Sequence, residues 1–193
     1  MQMDFDIIEG EILACAGLCV NDFSNAKKDI LLVNVNNAEL FTNLLNFGAR
    51  ICALNSSVNR DRFASGVEFY DLAINLAVQK FDLIIDLQNK SAEHYQKLLK
   101  NNGILIVDLV HLERENITQK GLSCNIIMPM RIQDNGQIKY YLFASNKFHP
   151  IADFSLQKLD MAENLRYCNA KIYEAVFAMP NYIKDDLRGI AQN

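Results

Sequence analysis

Apolar and polar positions along the chain fall into a repeated alternation of short apolar runs and helical stripes. Ile8, Ile12, Cys15 and Cys19 recur at helical spacing and predict a helix over residues 4–19. The polar stretch from Asn21 to Lys28 reads as a loop. Ile30 to Val33 is then a short continuous apolar run, the signature of a strand buried on both faces. Leu40, Leu44 and Phe47 mark the inner face of a helix over 37–47 that Gly48 closes. The alternation continues with strands at Ala49 to Leu54, Val67 to Tyr70, Phe81 to Leu87 and Ile104 to Leu109. Between them lie a short helical piece from Val58 to Ser65, a helix from Asp71 to Gln79, and a helix from Ser91 to Lys100 that Asn102-Gly103 ends. Glu113 to Lys120 is a further helix, closed by Gly121. The pattern then changes: Ser123 to Met128 and Gln137 to Ala144 flank Asp134-Asn135-Gly136, a strong hairpin turn signal. Three helices follow, Leu156 to Glu163, Ala170 to Ala178 and Tyr182 to Leu187, with Pro180 between the last two.

Five β-α units followed by an antiparallel hairpin predict an α/β fold: a twisted, mostly parallel sheet covered on both faces, ending in an antiparallel edge. That is the Rossmann-like plan of the S-adenosylmethionine-dependent methyltransferase fold. The strand order is not visible in the pattern. No repeat, low-complexity tract or linker divides the chain, so residues 1–193 are expected to form one domain.

Composition narrows the function classes. Half of the residues are hydrophobic and the net charge is −4, with no basic run longer than Lys27-Lys28. Nucleic-acid binding needs a basic patch, so no nucleic-acid partner is expected. No apolar run approaches the about 20 residues that span a bilayer, so no membrane partner is expected either. The acidic start MQMDFDIIEGE lacks the order of a signal peptide, which points to a cytoplasmic protein. Cys15 and Cys19 lie four apart on the first helix, but no second pair of Cys or His accompanies them. A structural zinc takes four ligands, so the thiols read as buried and reduced and no metal is expected.

In an open α/β sheet, ligands bind beyond the carboxyl ends of the strands. Those ends carry Asn34-Val35-Asn36-Asn37, Asn55-Ser56-Ser57, Tyr70-Asp71, Asp86-Leu87-Gln88-Asn89, and Asp108-Leu109 leading to His111. The first turn usually holds glycines that let backbone approach a nucleotide; here asparagines stand in their place. Asn tolerates the left-handed conformation better than other non-glycine residues, so the turn can still form. Two readings stay open: an altered ligand pocket, or a turn that lost its ligand and kept the fold. Asp71 sits where an acid can touch an adenine amino group, or where it can cap a helix. Asp86 ends an apolar strand, where burial raises a carboxyl pKa and makes a base available. Glu9 and Glu11 either neutralise a cationic substrate or face water, the second being the ordinary outcome.

The C-terminal segment is the most specific signal. Leu165-Arg166-Tyr167-Cys168-Asn169 and Ala175-Val176-Phe177-Ala178-Met179-Pro180 resemble the LRYYN and AAFALP motifs that end the spermidine synthases. Glu11-Ile12-Leu13-Ala14-Cys15 is similar to the family's EMIAH helix, and Ile30 to Leu40 to its VLVIGGGDGG strand and turn. Tyr70-Asp71-Leu72 resembles GDA, Phe81 to Ile85 resembles YDVII, and Leu98 to Leu105 resembles LKPGGIL. The resemblance thus runs through nearly the whole chain, and its short motifs are most similar to those of the epsilonproteobacterial branch. Members usually begin with a small β-domain, which this sequence is expected to lack.

The resemblance implies aminopropyl transfer from decarboxylated S-adenosylmethionine, a co-substrate rather than a cofactor, to putrescine. It implies small-molecule nucleoside and polyamine ligands and a homodimer. Asp71 matches the acid on the adenine. The ribose acid falls on Asn55 and the glycine turn on Asn34 to Ala38, so Asn34, Asn36, Asn55 and Asp71 are the expected donor-binding residues. Glu11 and Gln88 are expected near the amine. The catalytic Asp of the family falls on Leu87, and Asp86 is one residue off; it is the expected base if the strand end twists. The alternative is a non-catalytic relative that binds a ligand or a partner.

Overall fold

The structure is a computed structural model and describes residues 3–20, 27–71, 79–87, 93–120, 122–162 and 164–190. Its elements in chain order are α1 (Phe5–Leu18), β1 (Asp29–Val33), α2 (Ala38–Asn46), β2 (Arg50–Leu54), α3 (Arg60–Phe63), β3 (Val67–Tyr70), β4 (Phe81–Asp86), α4 (Glu93–Gln96) and β5 (Leu99–Leu109). They continue with α5 (Arg114–Gln119), β6 (Ile126–Asp134), β7 (Gln137–Ser145), α6 (Leu156–Asp160), α7 (Ala170–Val176) and α8 (Asn181–Asp186).

The seven strands form one sheet in the order β3-β2-β1-β4-β5-β7-β6. The first five pair in parallel; β7 pairs antiparallel with β5, and β6 with β7. Chain order reverses between β1 and β4, which places the crevice for a ligand at the carboxyl ends of these two strands. The hairpin closes through Asn135 (φ 46°) and Gly136 (φ 84°), the pair of left-handed residues that a two-residue turn needs. Pro129 lies in β6, the edge strand, where a missing N–H costs no ladder bond on the open side.

Side-chain alternation splits the core. Ile30, Leu32, Leu83, Ile85, Ile106, Tyr141 and Phe143 face α1, α2 and α7. Leu31, Val33, Ile84, Leu105, Val107 and Leu142 face the other side, against Tyr95, Ile117 and Leu187. Helix α1 is buried from Ile8 to Leu18, Glu9 and Glu11 included. It packs so closely on α2 that a Cβ on Gly10 would stand 2.7 Å from the Leu40 nitrogen.

The expected helix to Lys100 is corrected. Helix α4 is short, and β5 begins at Leu99, so Lys100 to Gly103 are strand rather than a helix end. Lys100 there bonds Asp82 (2.8 Å) and Asp29 (3.2 Å) on neighbouring strands, contacts invisible to local pattern. The hairpin strands are also longer than expected, because β6 continues to Asp134 along its partner. Most of the Asp71 to Gln79 helix, and Gln88, lie outside the described residues.

Candidate functional site

The carboxyl edge of β1 and β2 is shaped by two asparagines in the left-handed conformation, Asn34 (φ 52°) and Asn55 (φ 53°). Each extends its ladder by one bond: the Asn34 N–H donates to Leu54 O (2.9 Å) and the Asn55 N–H to Tyr70 O (3.1 Å). Asparagine thus does the conformational part of a glycine turn while adding a side chain that glycine lacks.

The rest of the first turn is tied down within the protein. Asn36 Oδ1 accepts from the Ser57 N–H (2.7 Å), and Ser56 Oγ donates to Val35 O (2.7 Å). Asn37 caps α2, its Oδ1 accepting from the Leu40 N–H (3.0 Å). Its Nδ2 donates to Glu9 Oε2 (2.7 Å) and to Asp6 O (2.9 Å), which fastens the turn to the first turns of α1. Asp71 is exposed at the end of β3 and pairs with Arg60.

Asp86 is 1% exposed at the end of β4. Its register partners are Val33 and Val107, both on the face away from α1. Leu87 packs on the α1 face with Leu83 and Ile85. The one-residue offset between Asp86 and Leu87 therefore corresponds to opposite faces of the sheet, as pleating requires.

Of the two glutamates of α1, water is the ordinary expectation and the resemblance places Glu11 near the amine; both are buried. Glu11 is 1% exposed and acts as an anchor. Its Oε1 accepts from the Arg166 N–H (2.8 Å), and its Oε2 from the N–H groups of Tyr167 (2.7 Å) and Cys168 (2.8 Å). Arg166 also reaches Glu39 of α2 (2.9 Å), and Asn169 caps α7 by accepting from the Lys171 and Ile172 N–H groups. The Arg-Tyr-Cys-Asn motif is thus the joint at which α1, α2 and α7 meet.

Glu9, 2% exposed, is held by two side chains of β7 and by the residue that caps α2. Its Oε1 accepts from Lys139 Nζ (2.7 Å) and from the Tyr141 hydroxyl, while Oε2 accepts from Asn37. Lys139 Nζ also stands 5.3 Å from the centre of the Phe5 ring. Burial, the Glu9 charge and the bond to Glu9 all push the Tyr141 hydroxyl far up, so it stays a donor. Because β7 runs antiparallel, Lys139 and Tyr141 come to the same sheet edge as the carboxyl ends of β1 and β5. Asp108, opposite Tyr141 in β5, lies there too and is bridged by the buried Lys120 (3.3 Å).

The Glu9 cluster escaped sequence reasoning, although one signal was present. After Asp6, the first helix carries no charged residues except the two glutamates. A helix without a polar face is buried all round, and so are its charges.

Cys15 and Cys19 are buried as expected, while Cys52 and Cys124 are half-buried. Cys15, Cys19 and Cys168 are buried, and hydrogen bonds from Cys168 and then Cys19, with burial, push the Cys15 thiol far above its ordinary value. Among the described residues no group of His, Cys, Asp and Glu is arranged to hold a metal, and no helix is long and apolar enough to cross a membrane.

Comparison with known proteins fits this geometry. The polyamine aminopropyltransferase of Helicobacter acinonychis (strain Sheeba) is 27% identical over 211 residues, covering 94% of this chain and 77% of the relative. That of Helicobacter pylori (strain P12) is 27% identical over 204 residues, covering 92% and 76%. The chain is thus similar to the polyamine aminopropyltransferases over nearly its whole length. Spermidine synthase from Thermotoga maritima superposes with a TM-score of 0.71 at 18% identity, covering 94% of this chain and 74% of that one. A spermidine synthase in complex with the transition-state analogue AdoDATO gives 0.72 at 16%, covering 94% and 75%. Human methyltransferase-like protein 13 in complex with SAH gives 0.53 at 13%, covering 91% and 92%. These likenesses show the methyltransferase-type fold. No family model matches the chain.

Proposed function

We propose that this aminopropyltransferase relative transfers an aminopropyl group from decarboxylated S-adenosylmethionine to a diamine, at the carboxyl edge of β1, β2 and β4. The observation that carries the reading is the meeting of its two family-like segments. The glutamate of the EMIAH-like helix receives the backbone of the RYxN-like segment, so the resemblance describes one three-dimensional joint. In this reading Asn34 and Asn36 border the donor, Asn55 faces its ribose and Asp71 its adenine. Asp86 takes the proton from the attacking amine, and Gln88, outside the described residues, keeps only its expected role toward the acceptor. Glu11, expected near the amine, has its oxygens engaged by backbone and contributes by holding α1.

A second reading, a relative that binds without transfer, is favoured by one observation: Asp86 shares a face with Val33 and Val107 rather than with Leu87. The test is incubation with decarboxylated S-adenosylmethionine and putrescine, with release of methylthioadenosine as the readout. Release that is lost in Asp86→Asn supports transfer. No release, together with no thermal shift by millimolar methylthioadenosine, ends it. Gain of release in Leu87→Asp, with none in the unaltered protein, supports the second reading, because it puts the acid on the α1 face.

A further inference from the structure

The donor of the proposed transfer is a cation, and a crevice for a cation is served by carboxylates. The edge of β2 and β3 is built the other way round. Asn55, where the resemblance expects an acid for the ribose, carries no charge and holds the left-handed conformation. The last register pair of the two strands is Leu54 with Tyr70, so Asn55 and Asp71 are the next residues along this edge, side by side. Asp71 is the carboxylate there, and the Arg60 guanidinium sits on it. Asn36, from the neighbouring turn, spends its side-chain oxygen on the Ser57 N–H, so its amide N–H groups are what it can offer a ligand.

Arg60 is aimed at this edge by more than its ion pair. Its guanidinium carbon lies 5.3 Å from the centre of the Phe69 ring. Phe69 in turn stacks on Phe41 and packs against the core on the α2 face. Asn59 caps α3 by accepting from the Asp61 N–H (3.1 Å), which sets where Arg60 leaves the chain. The side chain is nevertheless 47% exposed and its acid 76%, and an exposed pair of this kind contributes little to stability. Asp71 engages Nη2, and the rigid fork has further N–H donors for an oxyanion. At this strand end in dinucleotide-binding folds, a carboxylate accepts from the ribose hydroxyls, whereas a nearby arginine takes a phosphate on the ribose.

We propose that Asn55 and Arg60 form a ribose-phosphate site, so that the crevice takes an adenine nucleotide phosphorylated on its 2′-hydroxyl, in competition with the sulfonium nucleoside. The adenine half rests on the donor placement proposed above; the phosphate half rests on Asn55 and Arg60 alone.

The experiment is calorimetric titration of adenosine, adenosine 2′-phosphate and inorganic phosphate into the full chain, unaltered and as Arg60→Ala and Asn55→Asp. The unaltered protein should bind adenosine 2′-phosphate about tenfold tighter than adenosine, the increment of one charge-assisted contact. Arg60→Ala should lose that preference. Asn55→Asp sets a carboxylate against the phosphate and restores an acceptor for the hydroxyls, so it should bind adenosine tighter and the nucleotide weaker. Equal affinity of the unaltered protein for adenosine and its 2′-phosphate, none for either included, would overturn the proposal. So would a preference that survives in Arg60→Ala, or inorganic phosphate bound as tightly as the nucleotide. Should Arg60→Ala fail to fold, Asn55→Asp decides: a lost preference supports the proposal and a retained one ends it. Methylthioadenosine release, followed on the same proteins, keeps this idea apart from transfer. Release without a phosphate preference retains transfer and ends the nucleotide site; a phosphate preference without release retains the site and ends transfer.

Discussion

Glu9 and Glu11 stand two residues apart on one helix and are equally buried, but their surroundings differ in kind. Glu11 is satisfied by backbone N–H groups of residues 166–168, which no side-chain motion can withdraw. Glu9 is satisfied by side chains of Lys139, Tyr141 and Asn37, of which the lysine is free to move. A buried carboxylate bound by backbone is fixed by the chain itself. One bound by side chains depends on their rotamers, and one of its partners here is half exposed.

Substitution at Glu11 should have the largest effect. Glu11→Ala leaves the N–H groups of residues 166–168 without their acceptor, that of Cys168 buried, and should cost about 3 kcal/mol, read as a shift in urea midpoint. An equal loss from Glu9→Ala would erase the distinction, because Lys139, which is half exposed, can turn to water and leaves only the Tyr141 and Asn37 side chains short of a partner. Asn37→Ala should follow at about 2 kcal/mol, since it removes a helix cap and a bond to a buried charge together. Asn34→Ala should cost about 1 kcal/mol, because alanine resists φ 52°, whereas Asn34→Gly should leave stability nearly unchanged. If Asn34→Gly also tightens methylthioadenosine, the asparagine side chain is what occupies the donor crevice.

The smallest effect concerns pH. The Asp6 pKa is raised above its ordinary 3.8 in the folded chain, chiefly by burial and then by Glu9 and Asp4. Its protonated form is therefore favoured by folding. The contribution is complete below 3.8 and is lost as pH rises through the folded value. Asp6→Asn should remove that loss and gain up to about 0.5 kcal/mol at pH 7, the rest being screened by solvent, with no gain below pH 3.8. Melting curves of the two proteins between pH 3 and 7 check the sign.

The β-α alternation, the hairpin at Asn135-Gly136 and the family resemblance were legible, because periodicity, turn chemistry and short motifs are local properties. The C-terminal motif was legible as a resemblance but not as a joint, since its partner Glu11 lies some 155 residues away. The helix ending at Lys100 failed for the same reason: bonds to Asp82 and Asp29 made strand of it. Among the expected site residues, the left-handed asparagines at 34 and 55 follow from their residue type. The pairing of Asp71 with Arg60, and the face taken by Asp86, follow from neighbours.

By itself, then, the sequence determined most of the elements, the fold class and the family resemblance, because each rests on short-range pattern or on motifs that survive in the chain. Only the tertiary structure decided the strand order, the opposite faces of Asp86 and Leu87, and the burial of two glutamates that local pattern left at the surface. A side chain's charge state and availability depend on what packs against it, and here that packing joins α1 to residues more than a hundred positions away.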